Sequence, residues 1–226
     1  MKDYINKIIL GNCIEIFKDF KDNSIDIMLT DPPNLVLTNY FSTRTFFSRN
    51  FGDLGIVEWF WKEFFKELKR IIKDDGFFFI FCNEDSYPIF WYYCYQFTKK
   101  VRQIIWDKTV SINGYYFRHQ YESILFGIME NSPIIPTGDG DILSCRAVPV
   151  KKRIHPSQKP VKLVEQLLLK VSNENDIILD PFLGSGTTIK ACIRNKRRYI
   201  GIEYGKEYYD LALKEIENIK IQEGMF

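Results

Sequence analysis

The apolar residues of this chain fall into short runs of strand length that alternate with segments of helical spacing. Lys7 to Leu10 predicts a short buried strand, the apolar positions between Ile14 and Phe20 predict a helix, and Ile25 to Leu29 predicts a second strand. A strand, a helix and a strand joined by short connections form a parallel βαβ unit. The N-terminal region therefore predicts an α/β fold.

The middle of the chain continues this alternation and then departs from it. The predicted elements are a helix over Val57 to Ile72 that ends at Asp74-Asp75-Gly76, a strand over Phe77 to Phe81, a helix over Tyr87 to Phe97, and strands over Val101 to Trp106 and Glu122 to Gly127. The segment between the last two strands lacks a helical pattern. Two strands without a helix between them predict an antiparallel pair at one edge of the sheet.

The C-terminal third returns to alternating elements. Its predicted elements are a helix over Val161 to Val171, a strand over Asp176 to Leu179, a helix that starts near Thr187, a strand over Tyr199 to Glu203 and a helix over Glu207 to Ile219. Before them, Asn131 to Lys152 is rich in Pro, Gly and Asp and is expected to be a loop or a small insert.

Composition limits the class of protein. With 226 residues, 46% of them hydrophobic and 27% charged, the chain is expected to form one soluble globular domain over residues 1–226. The 31 Lys and Arg against 29 Asp and Glu give a net charge of +2, so any site for a polyanion must be local. The five cysteines show no paired spacing and are expected to be reduced thiols, and no metal-ligand spacing is present. The absence of a secretory leader and of a bilayer-spanning apolar run predicts a cytoplasmic location.

The second predicted strand leads into Asp31-Pro32-Pro33-Asn34, which delivers one carboxylate to a loop of restricted backbone. Each proline ring fixes its own φ and biases the preceding residue toward extended conformations, so the Asp31 carboxylate has a fixed direction. Pro32 and Pro33 have no backbone N–H. The carbonyls of Asp31 and Pro32 are therefore free to accept hydrogen bonds from an amino group. Taken alone, Asp-Pro-Pro is more typical of a turn after a strand.

The segment from Asn34 to Gly55 has no sustained period and combines aromatic rings with arginines, among them Tyr40, Phe41, Arg44 and Arg49. Loops of this length inside a compact domain are usually functional or disordered. Rings interleaved with arginines suit stacking on bases and contact with phosphates. Two interpretations stay open, a nucleic-acid contact and a lid over residues 34–55 that packs on the core.

The turn Gly184-Ser185-Gly186 lies between a predicted strand and a predicted helix. Glycines permit unusual φ values and close approach of a ligand to the backbone, and a helix N-terminus offers free N–H groups. Glu203 ends the next strand about 20 residues on, where a Rossmann-like site places its ribose-binding carboxylate. Because the third glycine of the dinucleotide form is absent, a nucleoside without a pyrophosphate, such as S-adenosylmethionine, fits this pattern better than NAD.

Three motifs in this order resemble those of the S-adenosylmethionine-dependent amino-methyltransferases of DNA in their permuted β-class arrangement. The motifs are Thr30-Asp31-Pro32-Pro33, His155-Pro156-Ser157-Gln158-Lys159-Pro160 and Asp180 to Thr188. The resemblance covers nearly the whole chain. It implies a Rossmann-like sheet of seven strands, mostly parallel, with helices on both faces and an antiparallel edge pair.

The circularly permuted motif order makes a prediction about the two ends of the chain. If Asp176 to Leu179 is the first strand of the family's sheet and Tyr199 to Glu203 the second, then Lys7 to Leu10 is the third. Both termini are then expected near each other on one side of the sheet, with the cofactor between residues from both ends of the sequence.

The resemblance also implies an activity, the transfer of a methyl group from S-adenosylmethionine to the exocyclic N6 of adenine in DNA after base flipping. The implied catalytic residues are Asp31, Pro32, Pro33 and Asn34. The implied cofactor-binding residues are Asn12, Asp31, Lys159, Pro160, Asp180, Phe182, Gly184, Gly186, Thr187 and Glu203. The residues expected to contact DNA are Tyr40, Phe41, Arg44, Arg49, Arg118, His119, Lys151, Lys152 and Arg153.

Departures from the family pattern leave alternatives open. Asn34 stands where the family usually has an aromatic residue, through a substitution or a one-residue deletion, and Tyr40 or Phe41 is a candidate for the stacking ring. Asn12 stands where the family usually has Asp. The alternatives are a cytosine-N4 methyltransferase, a catalytically impaired DNA-binding subunit and an NAD-dependent enzyme. Only the short insert over residues 128–154 is available as a target-recognition segment, so a single-stranded target or a homodimer also stays open.

Overall fold

The computed structural model describes residues 2–33, 54–110, 116–136, 138–222 and 224, and for residues 2 and 54–57 the backbone alone. Their strands form one sheet of eight. The strands are β1 (Lys7–Leu10), β2 (Ile25–Thr30), β3 (Ile72–Cys82), β4 (Lys100–Asp107), β5 (Tyr121–Ile128), β6 (Ile142–Ser144), β7 (Ile177–Asp180) and β8 (Arg198–Glu203). Their spatial order is β1-β8-β7-β2-β3-β5-β4-β6.

The sheet is mostly parallel, as predicted, but it has one strand more than the predicted seven. The strand β5 is antiparallel to both of its neighbours, β3 and β4, which confirms the predicted antiparallel pair. The extra strand β6 pairs in parallel with β4 and forms the edge. It lies in the segment expected to be a loop, where its three residues are held by pairing with a distant strand and not by a local pattern.

Helices cover both faces of the sheet. They are α1 (Cys13–Phe17), α2 (Leu54–Ile71), α3 (Ser86–Tyr95), α4 (Val161–Val171), α5 (Thr187–Arg194) and α6 (Lys206–Gln222). Buried side chains of α1 to α3 pack in one hydrophobic core, and those of α4 to α6 pack in a second core on the opposite face. Successive strand residues alternate between the two, with Phe78 and Ile80 in the first core and Phe77 and Phe79 in the second.

One predicted helix boundary is wrong. The helix α2 ends at Ile71, and Asp74-Asp75-Gly76 lies inside β3, where it was expected to terminate the helix. Ile25 of β2 pairs with Ile72 of β3, and Ile27 pairs with Phe77. The segment of β3 between these two pairs is therefore longer than the matching segment of β2. Asp-Asp-Gly forms this irregularity, which explains why residues typical of a helix end occur in a strand.

The two ends of the sequence meet in the sheet. The strand β1 pairs in parallel with β8, and α6 packs against β1. This adjacency is compatible with the permuted motif order. All five cysteines are free thiols, as predicted. Among the helices of the described ranges, none is long and apolar enough to cross a membrane.

Candidate active site

The centre of the site is the point where β2 and β7 lie side by side. From β7 the chain passes through α5 to β8 on one side, and from β2 it passes through α2 to β3 on the other, so the strand order reverses here. Ligands of open α/β sheets bind at the carboxyl ends of the strands at such a point. The Thr30 hydroxyl donates to Asp180 Oδ1 at 2.7 Å and joins the two strand ends.

A buried chain of alternating charges begins one residue later. The Lys159 ammonium donates to Asp31 Oδ2 at 2.7 Å and lies 2.8 Å from Glu122 Oε1. On the far side of Glu122, Lys108 Nζ lies 3.2 Å from Oε2. The Lys159 side chain is 10% exposed and that of Asp31 is 21% exposed. The structure thus places Asp31 beside Lys159, both of which are expected to contact the cofactor, and adds two charges for which the sequence predicted no role.

The protonation of these groups follows from burial and from their partners. Burial raises the pKa of Asp31 to about 6, although the Lys159 ammonium opposes this shift. Burial also acts on Glu122, but the two lysines outweigh it and lower its pKa. The two carboxylates raise the pKa of Lys159 despite its burial. Near neutral pH, Lys159 is therefore a cation, and Asp31 is close to the range in which it takes up a proton.

Asp180 is a second buried carboxylate beside the first. Its residue is 3% exposed, and burial raises the pKa of this carboxyl to about 6. The hydroxyls of Thr30 and Thr188 and the backbone N–H of Phe182 donate to it and partly oppose the shift. Asp180 thereby holds the start of the glycine-rich turn to the end of β2.

The glycine-rich turn is held by Glu203. Gly184 N–H donates to Glu203 Oε2 and Gly205 N–H to Oε1, each at 2.8 Å. Gly184 and Gly186 have φ of +54° and +77°, which side chains disfavour. Gly186 immediately precedes α5, which begins at Thr187 as predicted. Glu203 therefore lies at the predicted end of its strand, and its carboxylate holds the glycine-rich turn in place.

Three of the expected cofactor residues have structural contacts of their own. Asn12 Oδ1 accepts a hydrogen bond from Ile14 N–H at 2.9 Å and caps α1. The Phe182 ring lies 5.3 to 6.3 Å from rings of α2, so it packs toward that helix. Pro160 is buried and directly precedes α4. Their expected contacts with a cofactor stay predictions.

A cavity of about 780 Å³ opens beside Lys159 and Glu122. Arg118, His119 and Arg153, all expected to contact DNA, line it. Arg153 also donates to the carbonyls of Val148 and Pro156. The other lining residues include side chains with aromatic rings, amides and hydroxyls: Tyr87, Trp106, Phe117, Asn83, Gln103, Gln120 and Ser123. Lys151 and Lys152 are exposed on a 3₁₀ turn and are not among the lining residues.

Several predicted residues lie outside the described ranges. These are Asn34, Tyr40, Phe41, Arg44 and Arg49. Pro32 is buried and Pro33 is half-buried. The lid over residues 34–55 likewise stays a prediction.

Sequence reasoning gave no role to Glu122 or Lys108. The available signal was a lone acidic residue in the apolar strand β5, because a charge at such a position requires a partner. Lys108 directly follows β4, the neighbouring strand. Glu122 lies between Lys108 and Lys159, and its contact with Lys159 joins parts of the chain that are far apart in sequence, so no local pattern announces it.

Comparisons with known proteins agree with this arrangement. A family model described as DNA methylase, for the N6 and N4 enzymes, matches residues 25–133 and 138–214. The chain is 29% identical to the type II methyltransferase M.HinfI of Haemophilus influenzae, covering 97% of this chain and 70% of that protein. It is 28% identical to the crystal structure of the M1.HpyAVI–SAM complex, with a TM-score of 0.68 over 92% of this chain and 98% of that one. The cytosine-N4-specific PvuII DNA methyltransferase shares the fold, with a TM-score of 0.74 and 16% identity over 96% of this chain and 91% of that one. The chain belongs to the N6/N4 DNA methylase family.

Proposed function

We propose that this chain transfers a methyl group from S-adenosylmethionine to the N6 of adenine in DNA. The observation that carries the proposal is the Asp31 carboxylate, which lies at the strand end beside Asp180 and is bonded through one oxygen to Lys159. Within the N6/N4 family, Asp before Pro-Pro favours adenine over cytosine. The relatives named above support methyl transfer to an amino group of DNA. The choice of adenine as the target base is the finer part of the proposal.

The chemistry explains why a fixed carboxylate is needed. The lone pair of an aromatic amino group is delocalised into the ring, so the nitrogen is a weak nucleophile. Two hydrogen-bond acceptors, Asp31 and the Pro32 carbonyl, draw the nitrogen toward tetrahedral geometry and restore its lone pair. Asp31 then receives the proton that the nitrogen loses when it is methylated. Orientation of this kind supplies on the order of 7–11 kcal/mol in favourable cases.

The residues at the other side of the switch point fit S-adenosylmethionine. The Glu203 carboxylate is fixed by two backbone N–H groups, and each of its oxygens retains a lone pair for a ribose hydroxyl. Gly184 and Gly186 leave the turn open to close approach. Asp180, Thr187 and the Lys159 segment border the same edge, and Thr187 Oγ1 lies 3.4 Å from the Lys159 carbonyl. The bound cofactor supplies a methyl group activated by a sulfonium.

The cavity beside Lys159 is the proposed site of the DNA. Its aromatic, amide and guanidinium lining suits a base extruded from the duplex and the phosphates that flank it. Extrusion costs a few kcal/mol, which stacking partners offset. The aromatic side chains Tyr87, Trp106, Phe117 and Tyr121 lie in this lining.

Incubation with methyl-labelled S-adenosylmethionine and mixed-sequence DNA, followed by nucleoside analysis, tests the proposal. We expect N6-methyladenine from the wild type and at least a hundredfold less from Asp31→Ala, because removal of the acceptor abolishes the activation. N4-methylcytosine would overturn the assignment of the base. Equal background from both proteins would overturn the activity.

The Asn34 position adds a second arm to this assay. If no other ring stacks on the base, Asn34→Tyr should raise methyl transfer severalfold, because stacking contributes about 1–3 kcal/mol per base. A decrease in this variant would show that another ring already occupies the place. Either result leaves the reaction class unchanged and decides whether the site is impaired.

A further inference from the structure

Lys159 lies between two carboxylates, and only one of them has a role in the proposed reaction. Its ammonium donates to Asp31 Oδ2 at 2.7 Å and lies 2.8 Å from Glu122 Oε1. Lys108 approaches the other oxygen of Glu122 at 3.2 Å. The side chains of Lys159, Glu122 and Lys108 are 10 to 15% exposed, so water screens these interactions weakly.

The lysine uses a single oxygen of Asp31. In the described ranges, no hydrogen bond reaches Asp31 Oδ1, so this oxygen is available to an incoming donor. An ammonium has three donors, and without a second anion it could swing over both oxygens of the carboxylate. Glu122 and the ring of Phe81, whose centroid lies 5.0 Å from Lys159 Nζ, restrict that movement.

We propose that Glu122 is a positioning residue of the methyl-transfer reaction, because it holds the Lys159 ammonium against Asp31 Oδ2 and leaves Oδ1 to accept from the amino group of the target base. Lys108 completes the arrangement, since it contacts the second oxygen of Glu122 and helps to balance its negative charge. This inference rests on the proposed function of Asp31.

Folding alone gives a weak reason for Glu122 at this position. A buried charge cluster costs desolvation, and well-packed apolar residues of similar volume often match or exceed its stability. Glu122 lies in β5, opposite Trp106 of β4, where an apolar side chain would continue the buried strand. A use in the reaction accounts for the charge that packing does not require.

The charged and titratable groups around Asp31 come from every neighbouring element. Lys159 precedes α4, Glu122 lies in β5, Lys108 follows β4, Asp180 ends β7 and Cys82 ends β3. The Glu122 carboxylate repels the negative charge of Asp31 and raises the pKa of Asp31, whereas the Lys108 ammonium lowers it. Neutralising Glu122 should therefore move the titration of Asp31 to lower pH, and neutralising Lys108 should move it to higher pH.

The test compares Glu122→Gln and Lys108→Met with Glu215→Gln in the full chain. Glu215 is the carboxylate partner of Lys190, another buried lysine, on helices α5 and α6 away from Asp31, and so serves as a matched control. One readout is the carboxyl-carbon NMR titration of 13C-aspartate-labelled protein without cofactor or DNA, with the Asp31 signal assigned by its loss in Asp31→Asn. The other readout is the pH profile of kcat for methyl transfer, followed on the acid side.

We expect Glu122→Gln to lower the midpoint of the Asp31 titration and the acid limb of kcat by about half a pH unit or more, and to lower the plateau of kcat at least tenfold. Lys108→Met should shift both midpoints upward, and Glu215→Gln should leave them unchanged. Loss of stability alone would reduce the amount of active protein at every pH without a shift of the midpoint. Unmoved midpoints in folded Glu122→Gln, or a plateau of kcat that stays at the wild-type value, would overturn the inference. A wild type without methyl transfer would overturn the proposed function instead, and the NMR titration still reports on the pairing.

Discussion

The Thr30 hydroxyl donates to Asp180 Oδ1 across 150 positions of sequence and joins the strands at which the sheet order reverses. Thr30 is fully buried and Asp180 nearly so, so water does not replace this bond when it is lost. The contact ties the strand that carries Asp31 to the strand that carries the glycine-rich turn. It therefore sets the distance between the proposed catalytic loop and the proposed cofactor loop.

Thr30→Val should destabilise the fold and weaken cofactor binding together. The change keeps the shape but leaves a buried carboxylate without one donor, which costs about 1–3 kcal/mol. Urea denaturation and calorimetric titration with S-adenosylmethionine measure the two effects. Thr30→Ser keeps the hydroxyl and is the matched control, with a smaller loss from the missing methyl group. Equal losses in both variants would show that packing, and not the hydrogen bond, is the source.

Asp180→Asn should stabilise the protein at pH 8, and the gain should disappear in acid. Burial raises the pKa of Asp180 from 3.8 to about 6, so the fold favours the neutral form. In the wild type this contribution is complete below about pH 4 and is lost as the pH rises through 6. Asn stays neutral at every pH, and the Thr188 hydroxyl can change from donor to acceptor toward its amide.

The expected gain at pH 8 is on the order of 1–3 kcal/mol, from the size of the pKa shift. Urea denaturation of both proteins between pH 4 and pH 8 gives the difference as a function of pH. A difference that does not depend on pH would show that Asp180 is not the group that titrates. Asp176→Asn, just before the same strand, serves as a control, because Asp176 is only half-buried.

Elements that depend on local pattern could be predicted from the sequence. The helix Val161–Val171 and the strand Lys7–Leu10 have the predicted bounds, because apolar spacing alone defines both. Asp74 to Gly76 was predicted wrongly, since its strand conformation comes from pairing with β2. The strand β6 was missed for the same reason, because only its pairing with β4 holds it.

The candidate site divides along the same line. Asp31 directly follows β2 and Glu203 ends β8, so the parallel sheet places both residues at the same side, at the carboxyl ends of its strands. The contact between Lys159 and Glu122 depends on how a loop before α4 folds over the antiparallel strand β5, and no spacing in the sequence reports this. The resemblance to a family predicted that Lys159 belongs to the site. Its contact with Glu122 is seen only in the structure.

Gly201→Ala should weaken both cofactor binding and the fold. A Cβ at Gly201 would lie 2.9 Å from Leu183 Cδ2 and 3.2 Å from Cδ1, too close for either atom to stay in place. Leu183 belongs to the glycine-rich turn, and its N–H donates to the Ile202 carbonyl at 2.9 Å. Displacing it costs about 1–3 kcal/mol in overpacking and moves the turn.

Calorimetric titration with S-adenosylmethionine should show an affinity at least tenfold lower for Gly201→Ala, beside a fall in melting temperature of a few degrees. Gly140→Ala is the control, since the nearest atom to its added Cβ is a backbone nitrogen at 4.0 Å. In a Leu183→Ala background, the added change Gly201→Ala should cost less stability than it does in the wild type, because the clashing atoms are gone. An unchanged affinity in Gly201→Ala would separate the turn from the cofactor.

Arg118→Gln should reduce the salt dependence of DNA binding. Arg118 is exposed at the cavity beside Lys159, which is the proposed site of the extruded nucleotide and its flanking phosphates. Loss of one phosphate contact flattens the slope of log affinity against log salt by about 0.9 for duplex DNA. Fluorescence anisotropy of a labelled duplex between about 50 and 200 mM salt measures the slope. Lys196→Gln is the control, because Lys196 lies before the amino end of β8, away from the carboxyl strand ends that form the site, and should leave the slope unchanged. Lys152→Gln tests whether the interface extends to the 3₁₀ turn beyond the cavity. If the slope of Arg118→Gln equals that of the wild type, the cavity does not face the phosphates and DNA approaches the strand ends from another side.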